Sequence, residues 1–286
     1  MFVSKIRRNE TVWDDNNFRK LVDTTHADGR LGTGFSGRPW NERPLGSLRG
    51  VNSIASDLQK IPRSQWAELI QQREQNGALL SQLHRKMKVP VLNQASNGYC
   101  WMFGLVGAYM MARAKAGLPT IHFSAASIAA RIKNGRNEGG WAGEGIEGWQ
   151  KFGEIYEHKD WPEESRSLSH LSRFDEPTKR AAATHSIAEY TELPEFDFDW
   201  LMTYLILGIP CTMGLLWWGH LVYALDPVIL SNGKFGVRIM NSWTERWEDG
   251  GTSVLAESKA RPDESFAVRV ASASTATTSV TEAMAI

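Results

Sequence analysis

The sequence predicts an α+β chain with a helical first half and a small antiparallel sheet in the second. Three observations carry that reading. Residues 67–74, 79–84, 100–113 and 123–130 read as helices, with Ser, Gly and Pro where helices begin and end. From residue 210 onward, short apolar runs alternate with tight turns such as Ser231-Asn232-Gly233. The first 60 residues follow neither period and are rich in glycine. The chain thus divides into an extended arm over 1–60, a helical lobe over 61–195, and a β-rich lobe with a polar tail over 196–286.

In the arm, the run from Asp28 to Trp40 is aperiodic and contains four glycines, with Trp13, Phe18, Phe35 and Trp40 as apolar anchors. It reads as a segment that docks on something, either the chain's own surface or a neighbouring subunit. Residues 67–74 and 79–84 have helix formers at helical spacing and read as a surface helix, with His84 on a solvated face. A polar turn, Gln94 to Tyr99, then runs into the apolar stretch Cys100 to Arg113, a buried helix that stops near Gly117 and Pro119. Cys100 falls at its start, where backbone N–H groups and the helix dipole favour a thiolate. A second helix opens near Ser124. The spacing Gly143-x-Gly145-x-x-Gly148 fits a dinucleotide loop, but no strand precedes it and Glu144 and Glu147 would repel a pyrophosphate. Residues 157–195 read as a solvated connection between lobes. A short helix over 201–208 follows, then strands near 210–216, 221–225, 236–240, 251–255 and 266–270, and a small polar tail at 272–278.

Composition narrows the function classes. Lys plus Arg and Asp plus Glu number 32 each, so no net field points to nucleic acid or an anionic membrane. No stretch reaches the ~20 apolar residues of a spanning helix, and the first residues lack a signal-peptide core. Two cysteines, Cys100 and Cys211, make no disulfide framework, which fits a cytoplasmic chain. Among His158, His170 and His185 no pair has metal-ligand spacing, and C-x-x-C and H-E-x-x-H are absent, so neither a metal nor another cofactor is expected.

Three separate segments carry the chemistry: Gln94-Ala95-Ser96-Asn97-Gly98-Tyr99-Cys100-Trp101, then Trp217-Trp218-Gly219-His220-Leu221, then Asn241-Ser242-Trp243. Together they resemble the papain family of cysteine peptidases. In that family a Gln stands six residues before the nucleophile, a Gly two before it and a Trp directly after, with a His and an Asn-Ser-Trp later in the chain. The resemblance runs from Ile61 and implies a two-lobe fold with the active-site cleft between lobes. It also implies that the chain hydrolyses peptide bonds through Cys100, His220 and Asn241. Gln94 and the Cys100 N–H would hold the oxyanion, and Trp243 would shield the His–Asn bond, with Trp101 supporting.

By the same resemblance Gly139-Gly140 would bond the substrate backbone, while Trp141, Ala142, Trp218 and Leu221 would wall a pocket for a modest apolar side chain. Two family disulfide positions fall at Asn97 and Asn137, as suits a reducing compartment. Three departures stand out. The hairpin before His220 is short, Thr244 replaces a usual Gly, and the arm lacks the family's helical pro-segment motif. The arm can therefore be read as an inhibitory segment or, the preferred expectation, as an assembly arm that takes a protein partner. Two further readings stay open. One is a non-catalytic structural or assembly protein on the same fold, for which a place in a virus particle would be apt. The other is a peptidoglycan amidase or endopeptidase, which the Asn-Ser-Trp segment argues against.

Overall fold

Apolar spacing turns into buried helix wherever a partner surface is at hand, and the central case is the helix that begins at Cys100. The computed structural model describes residues 10–27, 31–39, 51–52, 58–185 and 189–270. In chain order the helices are α1 (Phe18–Ala27), α2 (Arg63–Gln75), α3 (Leu80–Met87), α4 (Cys100–Lys115), α5 (Ala126–Ile132), α6 (Ala142–Phe152), α7 (Glu176–Ala183) and α8 (Phe198–Ile206). The strands are β1 (Val12–Trp13), β2 (Val51–Asn52), β3 (Glu189–Leu193), β4 (Cys211–Leu215), β5 (His220–Ile229), β6 (Phe235–Met240), β7 (Thr252–Ala256) and β8 (Ser265–Arg269).

One sheet, in the order β1-β7-β6-β5-β4-β8-β3-β2, forms the second lobe. The outer pairs β1·β7 and β2·β3 are parallel, and all other pairs are antiparallel. Helices α4, α5 and α6 make the first lobe, whose core is built on α4. The second core lies between the sheet, α2 and α8.

How α4 meets β5 fixes the site. A Cβ on Gly104 would stand 2.3 Å from Leu221 Cδ2, and one on Gly107 would stand 2.4 Å from the Tyr223 ring. The two bare positions, one helical turn apart, let the strand lie directly on the helix. One turn back from Gly104 is Cys100, and one residue back from Leu221 is His220. The packing therefore carries these two residues to the same end of the contact.

Several elements differ from the sequence reading. Residues 63–75 and 80–87 are two helices, not a surface insert: Trp66, Ile70, Leu80 and His84 are buried. Strand β3 lies within the supposed connection and pairs with β8 over its whole length. The arm is also more structured than its composition suggests. Its first strand is held by Glu10, which accepts two hydrogen bonds from Arg238 at 2.7 and 2.9 Å, all of it buried. Arg238 reaches Asp226 as well, at 3.1 Å. Helix α1 follows, with Leu21 and Thr25 buried and the Thr25 hydroxyl accepting from the Trp218 indole. The decoy glycines 143–148 lie inside α6, which excludes a phosphate loop there. Trp40 and the tail at 272–278 lie outside the described residues.

Candidate active site

The site draws on both lobes and on the arm. Cys100 is the first residue of α4 and is fully buried. Its sulfur faces the backbone N–H groups of Leu221 and Trp101, and also those of Gly34 and Phe35 from the arm. Burial pushes the thiol up to about 12, and those N–H donors oppose the rise. The sequence expectation of an easily ionised thiol describes the helix start alone; the arm laid over it removes the water that a thiolate needs.

His220 opens β5. Its Nε2 lies 2.8 Å from Asn241 Oδ1, and that oxygen also accepts the Ser242 N–H at 2.8 Å. The second bond fixes the amide orientation, so Asn241 Oδ1 is the acceptor and Nε2 carries the proton. Nδ1 is then the basic nitrogen of the neutral ring. Among the described residues it has no hydrogen-bond partner, and neither does Asn241 Nδ2. Burial pushes His220 down to about 4, opposed by the Asn241 bond. Trp243 stacks on the imidazole with ring centres 4.6 Å apart and 23° between planes, shutting water away from the His–Asn bond.

Gln94 is held on three sides. Its backbone N–H donates to Ser242 O at 2.9 Å, its Oε1 accepts from the Ser242 hydroxyl, and its Nε2 donates to Asn97 O at 2.8 Å. The other amide hydrogen goes to the arm: Nε2 lies 2.9 Å from Gly32 O. That same carbonyl accepts from the Trp243 indole at 3.1 Å, a second neutral donor that sequence reasoning did not assign to this task. Asn137, at one of the two positions where the resemblance implies a disulfide, ties down the loop before Cys100. Its Oδ1 accepts the Gly98 N–H at 2.6 Å and its Nδ2 donates to Ser96 O at 3.2 Å.

Residues 31–38 of the arm run through the space between the lobes. Gly32 N–H bonds Ala95 O, and Gly34 and Phe35 N–H both bond Gly219 O. Gly140 N–H donates to Gly34 O at 2.8 Å and Ser36 N–H to Gly140 O at 3.1 Å, a parallel rung centred on Phe35. The approach is as close as backbones allow. A Cβ on Gly34 would lie 2.2 Å from Gly98 O, and one on Gly139 would lie 2.4 Å from Gly34 O.

Of the expected pocket residues, Gly139, Gly140 and Trp141 lie along this segment. Trp218 meets His220 and Trp243 edge-on and stacks on Trp247, and Leu221 is buried against α4. Trp101 is buried beneath Gly140, with its indole donating to Gly98 O at 3.2 Å. Cys211 is core: it lies on β4 between Ala224 and Ala267. Among the described residues one trio, His122, His158 and Glu163, has ligand atoms close enough to hold a metal ion. The Glu163 carboxylate is already engaged, by His122 Nε2 at 2.9 Å and by the Asn93 N–H at 2.7 Å, so it anchors the residue before Gln94.

Two cysteine proteases are among the solved structures that share this fold. Xylellain, a cysteine protease from Xylella fastidiosa, superposes with a TM-score of 0.52 at 18% identity, over 64% of this chain and 83% of its own. The bromelain protease from Ananas comosus, solved with the E64 inhibitor, also gives 0.52 at 18% identity, over 69% of this chain and 97% of its own. No protein-family model and no curated protein sequence matches the chain. Among the described residues no helix is long and apolar enough to cross a membrane.

Proposed function

With a papain-like two-lobe α+β fold as the premise, we propose that this chain is a cysteine peptidase that hydrolyses polypeptides through Cys100, His220 and Asn241. The form described is its covered state. The observation that carries the reading is the Gly32 carbonyl, held by the Gln94 amide, in a segment whose next residues, Gly34 and Phe35, lie at the Cys100 sulfur. A carbonyl oxygen bound by a neutral, fixed donor next to a thiol and an oriented imidazole is what acyl transfer requires. Both fold neighbours are proteases, which agrees with it.

In the uncovered site the Cys100 sulfur attacks the peptide carbonyl carbon, and its proton resides on His220 Nδ1. The carbonyl π pair moves to oxygen, which takes its hydrogen bonds from Gln94 Nε2 and the Cys100 N–H. As the C–N bond breaks, Nδ1–H protonates the leaving amine and a thioester remains. Water then attacks the thioester while Nδ1 takes its proton, and the acid product leaves as the thiol is restored. Asn241 keeps the ring in the tautomer this needs. It bears no charge, so it does not trap the imidazolium.

The arm is anchored over the thiol: the N–H groups of Gly34 and Phe35 lie near the Cys100 sulfur and donate to Gly219 O. These contacts support a covering role for residues 31–38 within one chain, in place of the assembly role the sequence favours for them. The test is hydrolysis of casein and short fluorogenic peptides by the full chain carrying Gly34→Val, which sets a side chain against Gly98 O and should expel the arm. Hydrolysis that disappears with Cys100→Ala in the same background supports the proposal. Equal hydrolysis with and without the thiol contradicts it.

A further inference from the structure

Outside the Cys–His–Asn group, three metal-ligating side chains converge that the chemistry above does not use. His122 and His158 stand directly opposite each other across a short antiparallel pairing centred on Phe123 and Glu157. It is held by the His158 N–H on His122 O at 2.8 Å and by the Ser124 N–H on Tyr156 O at 2.9 Å. Opposed residues of such a pair send their side chains to the same face. Phe123 is buried in the core, and the two imidazoles lie together, half-buried, with ring centres 4.4 Å apart and planes 7° apart.

Glu163 closes the group. Its carboxylate is 2% exposed; Oε1 lies 2.9 Å from His122 Nε2, and Oε2 accepts the Asn93 N–H at 2.7 Å. Among the described residues its ion-pair partner is His122, which is charged only when protonated, so this buried carboxylate has no permanent cation. One nitrogen from each imidazole and one carboxylate oxygen all lie within 4.8 Å of one another. A hydrogen-bonded brace for Asn93 needs only Glu163 and His122. His158 is surplus to it: among the described residues its ring makes one hydrogen bond, Nδ1 accepting the Glu163 N–H at a long 3.4 Å.

We propose that His122, His158 and Glu163 bind a divalent transition-metal ion of the zinc class, one ion per chain. Two neutral imidazole nitrogens and one carboxylate oxygen suit zinc, with a fourth position left for water on the open side. A tetrahedral ion about 2.0 Å from each donor sets neighbouring donors roughly 3.3 Å apart. The His122–Glu163 pair therefore needs to open only slightly from its 2.9 Å. The parallel rings must tilt to aim both lone pairs at one point, and the histidine χ2 torsion is soft enough to allow it. The ion takes the place of the proton on His122 Nε2, which passes to Nδ1, so the ring stays neutral. Oε2 keeps the Asn93 N–H, and the ion then stands one carboxylate away from the residue before Gln94. The site does not depend on the peptidase reading. Histidine spacing does not announce it: His122 lies 36 positions before His158, and the strand pairing brings them together.

The test is calorimetric titration of ZnCl2 into the chelator-treated full chain carrying Cys100→Ala, which removes a competing thiol. We expect one ion per chain with a Kd of about 10 µM or tighter. His122→Phe and His158→Phe keep the ring stack without a ligand atom, and Glu163→Gln keeps an oxygen for the Asn93 N–H. Each should weaken binding about 100-fold or more. If Glu163→Gln fails to fold, the two phenylalanine variants, on the half-buried face, carry the test. Melting curves give a second readout. Saturating Zn2+ should raise the Tm of the parent by about 5 °C and leave that of His158→Phe within about 1 °C of its metal-free value. No saturable binding at the expected level, a Kd that changes less than about tenfold in any folded variant, or a Tm that Zn2+ moves equally in parent and His158→Phe overturns the proposal.

Discussion

Cys100 and Cys211 are equally hidden, and for opposite reasons. Both are 0% exposed, and burial raises both thiols. Cys211 is enclosed by the sheet: its neighbours across the strands are Ala224 and Ala267, and its thiol faces one carbonyl, Ile209 O, at 3.6 Å. Nothing short of unfolding would expose it. Cys100 is enclosed by a segment that reaches it from 66 residues upstream, and its sulfur receives N–H groups, which favour the anion. On the proposed reading, equal burial means an inert core atom in one place and a covered reagent in the other. The difference lies in whether the lid belongs to a foldon of its own.

The largest effects should separate the two thiols outright. In the chain released by Gly34→Val, Cys100→Ala should lower peptide hydrolysis by at least about 10³-fold, since no other group can form the acyl intermediate. Cys211→Ala should lower it only through stability, by about 1–2 kcal/mol, read as a shift in urea midpoint. Equal losses of activity would erase the distinction. His220→Ala should approach the Cys100→Ala loss if His220 moves the proton as proposed, and Asn241→Ala should cost less if it only orients the ring. Gln94→Ala should cost on the order of 10–10³ in kcat, as loss of one oxyanion donor does. Steady-state kinetics on the four variants rank them.

Acid should weaken the fold around the site. Burial holds His220 at about 4 in the covered state, against about 6.5 when exposed. The covered form therefore binds fewer protons between those values. Its stability is intact above about pH 6.5 and falls as the pH drops towards 4, by on the order of 3 kcal/mol from this group. Melting curves from pH 7 to 4 should show the decline, and His220→Gln should flatten part of it. A slope unchanged by that variant would assign the acid sensitivity elsewhere. The smallest effect concerns Thr244, which sits at φ 72°, a left-handed conformation that a β-branched residue rarely adopts. Thr244→Gly should raise stability by about 1 kcal/mol in urea melts without changing which cysteine is covered.

Much of this was legible in the sequence because it rests on local pattern. The apolar run after Cys100 is a helix that stops at Lys115, two residues before Gly117, and the runs from 211 to 269 are strands within a few residues of expectation. The Gly219 turn closes the short β4–β5 hairpin at φ 64°. What sequence pattern missed is long-range. Burial of His84 needs the β5 surface against α3, and β3 declares itself only by pairing with β8. The arm's helix α1 is short and half-polar, and its buried face shows only against Trp218. Arg38 donates to Glu264 across 226 positions, and neither residue type at its own position announces the other. Glycine in the arm did signal a close backbone approach, but not which surface would be approached.

The central claim is that Cys100 is a nucleophile covered by the chain's own arm. Thiol alkylation at neutral pH, followed residue by residue in a mass spectrometer on the wild-type chain and on Gly34→Val, tests it most directly. We expect both cysteines to label slowly in the wild type. In Gly34→Val, Cys100 should label about 100-fold faster while Cys211 keeps its rate. Rapid labelling of Cys100 in the wild type, or two cysteines that stay equally slow in Gly34→Val, would contradict it.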